Sequence, residues 1–130
     1  MADETYPDDL RYHPEHDWAC VEGEQATFGV TWYAQDALGE VVFYDPPEVG
    51  NQVSKDQPYT EIESVKAVSD VFAPLSGEIT EANATLGDSP EAINSDPYGA
   101  GWLVKVKLSD PSEAESLMDA GAYQKMIEEG

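Results

Sequence analysis

The sequence predicts a mostly β fold, with short antiparallel strands forming a sandwich or flattened barrel and short helices at its edges. Three observations carry that reading. Short β-branched and aromatic runs recur between Gly, Pro, Asn and Asp clusters. Residues 16–21 and 25–30 flank Glu22-Gly23-Glu24, a hairpin signal. Residues 102–108 alternate Leu103, Val104, Val106 and Leu108 with Lys105 and Lys107, which suits a half-buried strand. At 130 residues, 41% of them hydrophobic, the chain can bury a core, and residues 1–130 are read as a single domain.

Each element follows from local signals. Residues 1–10 are polar and read as a loosely held N-terminal extension. After the first hairpin, Thr31 caps a helix over 32–38 and Gly39 stops it. Residues 40–44 form a β-rich run ended by Pro46-Pro47. Strands follow over 59–64 and 67–72, around a very short connection. Pro74 and Gly77 mark the next turn, and Glu78-Ile79-Thr80 starts another strand. Residues 83–100 read as loop, with one helical turn near 90–93. The end, 111–129, is helical. Asp110-Pro111-Ser112-Glu113 has capping-box spacing with Pro at the first helical position, and Gly121 is read as splitting the segment in two.

Charge excludes whole classes of partner. Twenty-seven acids against six bases give a formal net charge of −21, which repels nucleic-acid phosphates and anionic membranes. The acids are dispersed rather than gathered in a tail, so they read as a surface property. At molar salt the Debye length shrinks to ~3 Å and self-repulsion is screened. The composition is therefore read as halophilic, an adaptation to a saline cytoplasm. An acidic docking face for a basic partner is the alternative. The first residues lack a basic and an apolar signal region, and the longest clean apolar run is 41–44, so a cytoplasmic location is expected.

The most informative segment is Glu63-Ser64-Val65-Lys66-Ala67-Val68. Two-residue hairpin loops ordinarily use Asn-Gly, Asp-Gly or Gly-X, which tolerate positive φ. Here the tip is Val65-Lys66, and a departure from local turn chemistry points to function. An amine at such a tip faces water and is accessible to a modifying enzyme. The same register sets Glu61 opposite Asp70, a like-charge pair that costs stability. Salt screening and a visiting cationic group both account for it.

Other chemistry is weaker. His13 and His16 stand near Glu15 and Asp17 without the further ligands of a metal site. Cys20 follows Trp18 in an apolar strand and reads as a small buried residue rather than a nucleophile paired with His16. Trp18, Phe28, Trp32, Tyr33 and Trp102 read as core and capping aromatics. No set of nucleophile, base and orienter is found, so the chain does not read as an enzyme.

Residues 63–71, Glu63-Ser64-Val65-Lys66-Ala67-Val68-Ser69-Asp70-Val71, resemble the lipoylation motif of the glycine cleavage system H-protein family. Tyr12-His13-Pro14-Glu15-His16-Asp17-Trp18, the segment 28–42, Pro74-Leu75-Ser76-Gly77-Glu78-Ile79 and Pro97-Tyr98-Gly99-Ala100-Gly101-Trp102-Leu103 are similar to that family in order. Biotin carriers flank the lysine with methionines, and acyltransferase lipoyl domains place Asp before it. Here the flanks are Val65 and Ala67.

The resemblance implies a lipoyl-domain-like barrel-sandwich hybrid. It also implies a carrier rather than an enzyme, with lipoic acid joined to Lys66 by an amide as N6-lipoyllysine. Its implied partners are glycine decarboxylase (P-protein), aminomethyltransferase (T-protein) and dihydrolipoyl dehydrogenase (L-protein), with a lipoate ligase or lipoyl/octanoyl transferase to load it. A second role in the same class is that of donor in a lipoyl relay. The resemblance further implies that the loaded arm folds back on the body, with Asp17 and Asp70 meeting its amine. Asp17 stands where the family usually has Glu, so its side chain is one methylene shorter.

Overall fold

The computed structural model describes residues 6–129. Among these, nine strands are present: β1 (Arg11–His13), β2 (Asp17–Glu22), β3 (Gln25–Val30), β4 (Val41–Tyr44), β5 (Gln52–Val53), β6 (Pro58–Ser64), β7 (Val68–Phe72), β8 (Gly77–Ala82) and β9 (Val104–Leu108). They form two antiparallel sheets, one ordered β1-β2-β3-β9-β8-β5 and the other β4-β6-β7. The helices are α1 (Trp32–Leu38), α2 (Thr85–Asp88), α3 (Ala92–Ser95) and α4 (Ala120–Glu129), with a 3₁₀ helix over Pro111–Ser116. The fold is thus mostly β, with short flanking helices and a C-terminal helix, as the sequence predicts.

Period-two patterning builds the core. Phe28, Ile79, Val104 and Val106 of the large sheet meet Val41, Tyr44, Ile62 and Val71 of the small one in one buried cluster. Each such side chain, fully buried, contributes about 1.5–3 kcal/mol. A second cluster gathers Tyr6, Leu10, Tyr12, Trp18, Ala120 and Tyr123. There Tyr12 stacks on Tyr123 with ring centroids 4.9 Å apart, so α4 is clamped onto β1.

The predicted ends of α1 hold. The Thr31 hydroxyl accepts from the Ala34 N–H, and Gly39 takes φ +79°. The Thr31 hydroxyl also bonds the Tyr123 hydroxyl at 2.8 Å, and that phenol bonds His16 Nδ1 at 2.7 Å. The C-terminal helix therefore anchors the start of α1.

Several expectations are corrected. Tyr6 and Leu10 are buried, so the part of the N-terminal extension within the described residues is packed, while residues 1–5 lie outside them. The loop-like 83–100 stretch holds two short helices rather than one turn. Strands β1 and β5 are too short for the sequence pattern to show. Gly121 lies inside α4, and the C-terminal segment divides instead at 117–119, where Met118 pairs with Tyr12 in a β-bridge. Glu113 does not close a capping box. Its carboxylate accepts from the Ser76 N–H at 2.8 Å and the Ser76 hydroxyl at 3.0 Å, because a partner from the β7–β8 turn lies within reach. Trp32 and Tyr33 are each 40% exposed rather than core. Cys20 is only half-buried, at the margin of the second cluster, and burial pushes its thiol pKa up.

Candidate functional site

The β6–β7 hairpin closes as its register predicts, with Glu63 opposite Val68 and Glu61 opposite Asp70. Neither Val65 nor Lys66 adopts positive φ. The turn is held by other means. The Ser64 N–H donates to the Ala67 carbonyl at 2.8 Å, and the Ser64 hydroxyl accepts from the Lys66 and Ala67 N–H groups at 3.3 and 3.1 Å. The Val65 N–H donates to the Glu40 carbonyl at 3.0 Å, which ties the tip to the chain leaving α1. Ser64 is buried, so these bonds form out of competition with water.

Lys66 thereby stands exposed at the tip, with Val65 and Val68 exposed around it. A Cβ added to Gly39 would lie 3.3 Å from Lys66 Cε and 3.8 Å from Nζ. The lysine stem therefore passes close over Gly39, which holds a positive φ that glycine adopts most readily. Asn94 of α3 fixes that glycine. Its amide donates to the Gly39 carbonyl at 2.8 Å and to Gln35 Oε1 at 3.1 Å, and its oxygen accepts from the Val41 N–H at 2.8 Å.

Next to Gly39 lies a cleft of about 290 Å³ between α1 and the hairpin. Tyr33, Ala34, Ala37 and Leu38 form one wall, and Ile62, Ala67, Ser69 and Val71 the other. Glu15, His16 and Asp17 line it too. Asp17 is 2% exposed and its Oδ2 has no hydrogen-bond partner among the described residues. Burial pushes its carboxyl well above the usual carboxylate range, and the negative charge of Glu15 adds to that. The N–H of Phe72 bonds the carboxyl and pulls the other way. Burial also holds His16 below the usual imidazole range. His16 itself has φ +73°, in the left-handed region, within the turn joining β1 and β2.

Asp17 lines the cleft, while Lys66 stands outside the lining, between its lining neighbour Ala67 and Gly39 at the end of α1. Asp70 is exposed and outside the lining, although its neighbour Ser69 lies within it, because successive side chains on a strand face opposite sides. Asp70 shares its register position with Glu61, and Glu61 lines a separate concavity of about 330 Å³ with Phe43, Asp45, Thr60, Glu63 and Val68. Both ring nitrogens of His13 and the Nδ1 of His16 are engaged within the fold. His13 Nε2 lies 2.6 Å from Asp56 Oδ1, and His16 Nδ1 bonds Tyr123. Ser64, Gly39 and Asn94 escaped the sequence reading as site residues. For Gly39 the helix-stop signal gave the position but not the contact with the lysine stem, and for Asn94 no local signal exists.

A family model described as "Glycine cleavage H-protein" matches residues 10–130. The chain belongs to the glycine cleavage H-protein family. Glycine cleavage system H proteins of Symbiobacterium thermophilum (49% identical, covering 95% of this chain and 97% of that one) and Bacillus subtilis (48%, covering 96% and 98%) are similar along nearly their whole lengths. The crystal structure of a glycine cleavage system H protein from Mycobacterium marinum matches with a TM-score of 0.83 at 38% identity, covering 93% of this chain and 98% of that one. As a member of the H-protein family, the chain is a non-catalytic carrier bearing lipoate covalently on a lysine. It shuttles the aminomethyl group of glycine from the decarboxylase to the aminomethyltransferase and is reoxidised by dihydrolipoyl dehydrogenase. No helix among the described residues is long and apolar enough to cross a membrane.

Proposed function

We propose that Lys66 is the lipoylated lysine and that the cleft lined by Asp17 shelters the loaded arm. One observation carries this reading: Lys66 alone among the lysines sits at a hairpin tip with its stem directed across Gly39 beside a cleft. Lys55 pairs with Asp56, Lys105 with Glu81, Lys107 lies within β9 and Lys125 within α4. The cleft fits the group. Its walls are largely aliphatic, suited to a hydrocarbon arm, and it holds an unpartnered buried carboxyl oxygen suited to a cationic end.

When bound, the lipoyl group supplies the disulfide that takes up the cargo. The protein supplies position and dryness. The α1 wall and Ile62 exclude water from the arm. Asp17 offers its Oδ2 to the cargo amine, and Asp70 adds a weaker, solvent-screened attraction from outside the lining. A lipoate ligase or lipoyl/octanoyl transferase loads Lys66 in the cytoplasm, approaching the exposed tip.

The test is intact mass followed by peptide mapping, with a single lipoyl addition expected on the peptide holding Lys66. Lipoylated chain mixed with glycine decarboxylase should then exchange bicarbonate into glycine. Lipoylation of another lysine would overturn the assignment, and modified Lys66 without exchange would favour the lipoyl-relay role. For docking, Asp17→Asn should speed release of ammonia and formaldehyde from loaded chain, and Asp70→Asn should do so less.

A further inference from the structure

Beside Asp17, outside the cleft lining, lies a second buried side chain, His13. The β1–β2 hairpin sets His13 directly opposite Asp17, and each is 2% exposed. His13 Nδ1 stands 3.8 Å from the orphan Asp17 Oδ2, and His13 is the one basic side chain, among the described residues, within ion-pairing distance of that oxygen. Its other nitrogen, Nε2, lies 2.6 Å from Asp56 Oδ1. The Glu15 N–H donates to Nδ1 at 3.1 Å. These contacts fix the ring as the Nε2–H tautomer, with a lone pair on the nitrogen nearest Asp17. Asp56 reaches this position from the β5–β6 turn at φ +71°, its own N–H bonded to the Ala73 carbonyl, and Asp tolerates that backbone region.

We propose that His13, oriented by Asp56, is a positioning residue that accepts the proton of Asp17 when a cationic amine enters the cleft, so that the buried carboxyl meets the cargo as a carboxylate. The inference rests on the docking reading above. The balance is simple. The two groups stand 3.8 Å apart, so the ring first closes on the carboxyl and releases the Glu15 N–H; the proton then leaves Asp17 for His13 Nδ1, giving a carboxylate and an imidazolium, with no net change in the charge of the protein. The imidazolium keeps Asp56 as its counter-ion through Nε2–H. The Glu15 N–H, on an exposed turn, passes to solvent.

Without such a base, ionising the buried Asp17 carries its full desolvation cost, and the neutral acid is the weaker partner for the amine. The other groups facing this pair are Glu15 and His16 of the same turn, Lys55 beside Asp56, and the hydroxyls of Tyr59 and Tyr123 from β6 and α4. Glu15 disfavours ionisation of Asp17, and Lys55 competes with His13 for Asp56.

The experiment uses the full lipoylated chain. Asp17 carboxyl carbon is titrated by NMR in wild type, His13→Gln and Asp56→Asn. His13→Gln preserves a donor toward Asp56 and removes the titratable nitrogen. The Asp17 midpoint should rise by about one pH unit or more in His13→Gln, the size expected of coupled sites, and by less in Asp56→Asn. The pH profile of amine release from loaded chain should move by the same amount. Coincident Asp17 titrations in wild type and His13→Gln would overturn the coupling. Separated titrations, with amine release in Asp17→Asn equal to wild type, would instead sink the docking reading and leave the coupling standing. If His13→Gln does not fold, Asp56→Asn, whose site lies on an exposed turn, decides by the same readout.

Discussion

The β2–β3 and β6–β7 hairpins each close on two residues but are held by different means. In the first, Glu22 pairs with Gln25 across Gly23-Glu24, and Gly23 takes φ +65°. The turn chemistry is local, and any chain with that dipeptide would favour it. In the second, Val65-Lys66 brings no such help, and a buried serine hydroxyl with the Glu40 carbonyl does the holding. A locally encoded turn spends its tip on residues chosen for backbone freedom. A turn held from outside can place a chosen side chain there, and here that side chain is Lys66. The like-charge pair of Glu61 and Asp70 belongs to the same hairpin, so its stability rests on tertiary packing and screening rather than on its own strands.

The sharpest test of this contrast is Lys66→Arg. It keeps a cationic side chain at the tip but removes the acylable amine, so lipoyl mass and glycine-dependent exchange should vanish while the unfolding curve matches that of the unlipoylated chain. Lipoyl addition persisting elsewhere with full exchange would break the comparison at its root. Next is the support of the second hairpin. Asn94→Leu removes three hydrogen bonds and leaves the Val41 N–H and Gly39 carbonyl unpaired, which should cost about 2–4 kcal/mol in urea unfolding. Ser64→Ala should cost about 1–2 kcal/mol and slow lipoylation, because the tip loses its anchor. In the first hairpin, Gly23→Ala should cost about 1 kcal/mol through backbone strain and leave lipoylation untouched. Equal lipoylation rates in Ser64→Ala and Gly23→Ala would show that the tip needs no external support.

Smaller effects concern charge. Asp17 binds its proton more tightly in the native state than unfolded, so wild type loses stability as pH rises above the ordinary carboxylate range, about pH 4. Asp17→Asn should therefore gain on wild type between acid and neutral pH, with little difference below that window. A constant difference across pH would contradict a neutral buried carboxyl. His16 works in the other direction. Burial lowers its native pKa, so stability falls as pH drops through about 6.5, where the unfolded ring takes up its proton. Finally, raising potassium chloride should stabilise the chain by screening a net charge of −21, and an unfolding midpoint indifferent to salt would remove the halophilic reading.

Much of this was legible in the residues. The Thr31 and Gly39 ends of α1, the hairpin register that sets Glu61 against Asp70, and the lysine at an improbable turn all follow from short-range rules of capping, pleat and turn chemistry. The candidate site was legible only at its tip. Asp17 was found through a resemblance, and its isolation from water could not be read from neighbours in sequence.

The chain order therefore determined the strands, the helix caps, the family and the single tip lysine, because hydrogen-bond periodicity and backbone preference act over a few residues. Packing alone decided that Asp17 is dry, that Asn94 clasps Gly39, that Asp56 turns the His13 ring and that Glu113 deserts its own helix for Ser76. Desolvation and cross-strand contact depend on which distant segments close over a group, and that information exists only once the sheets have met.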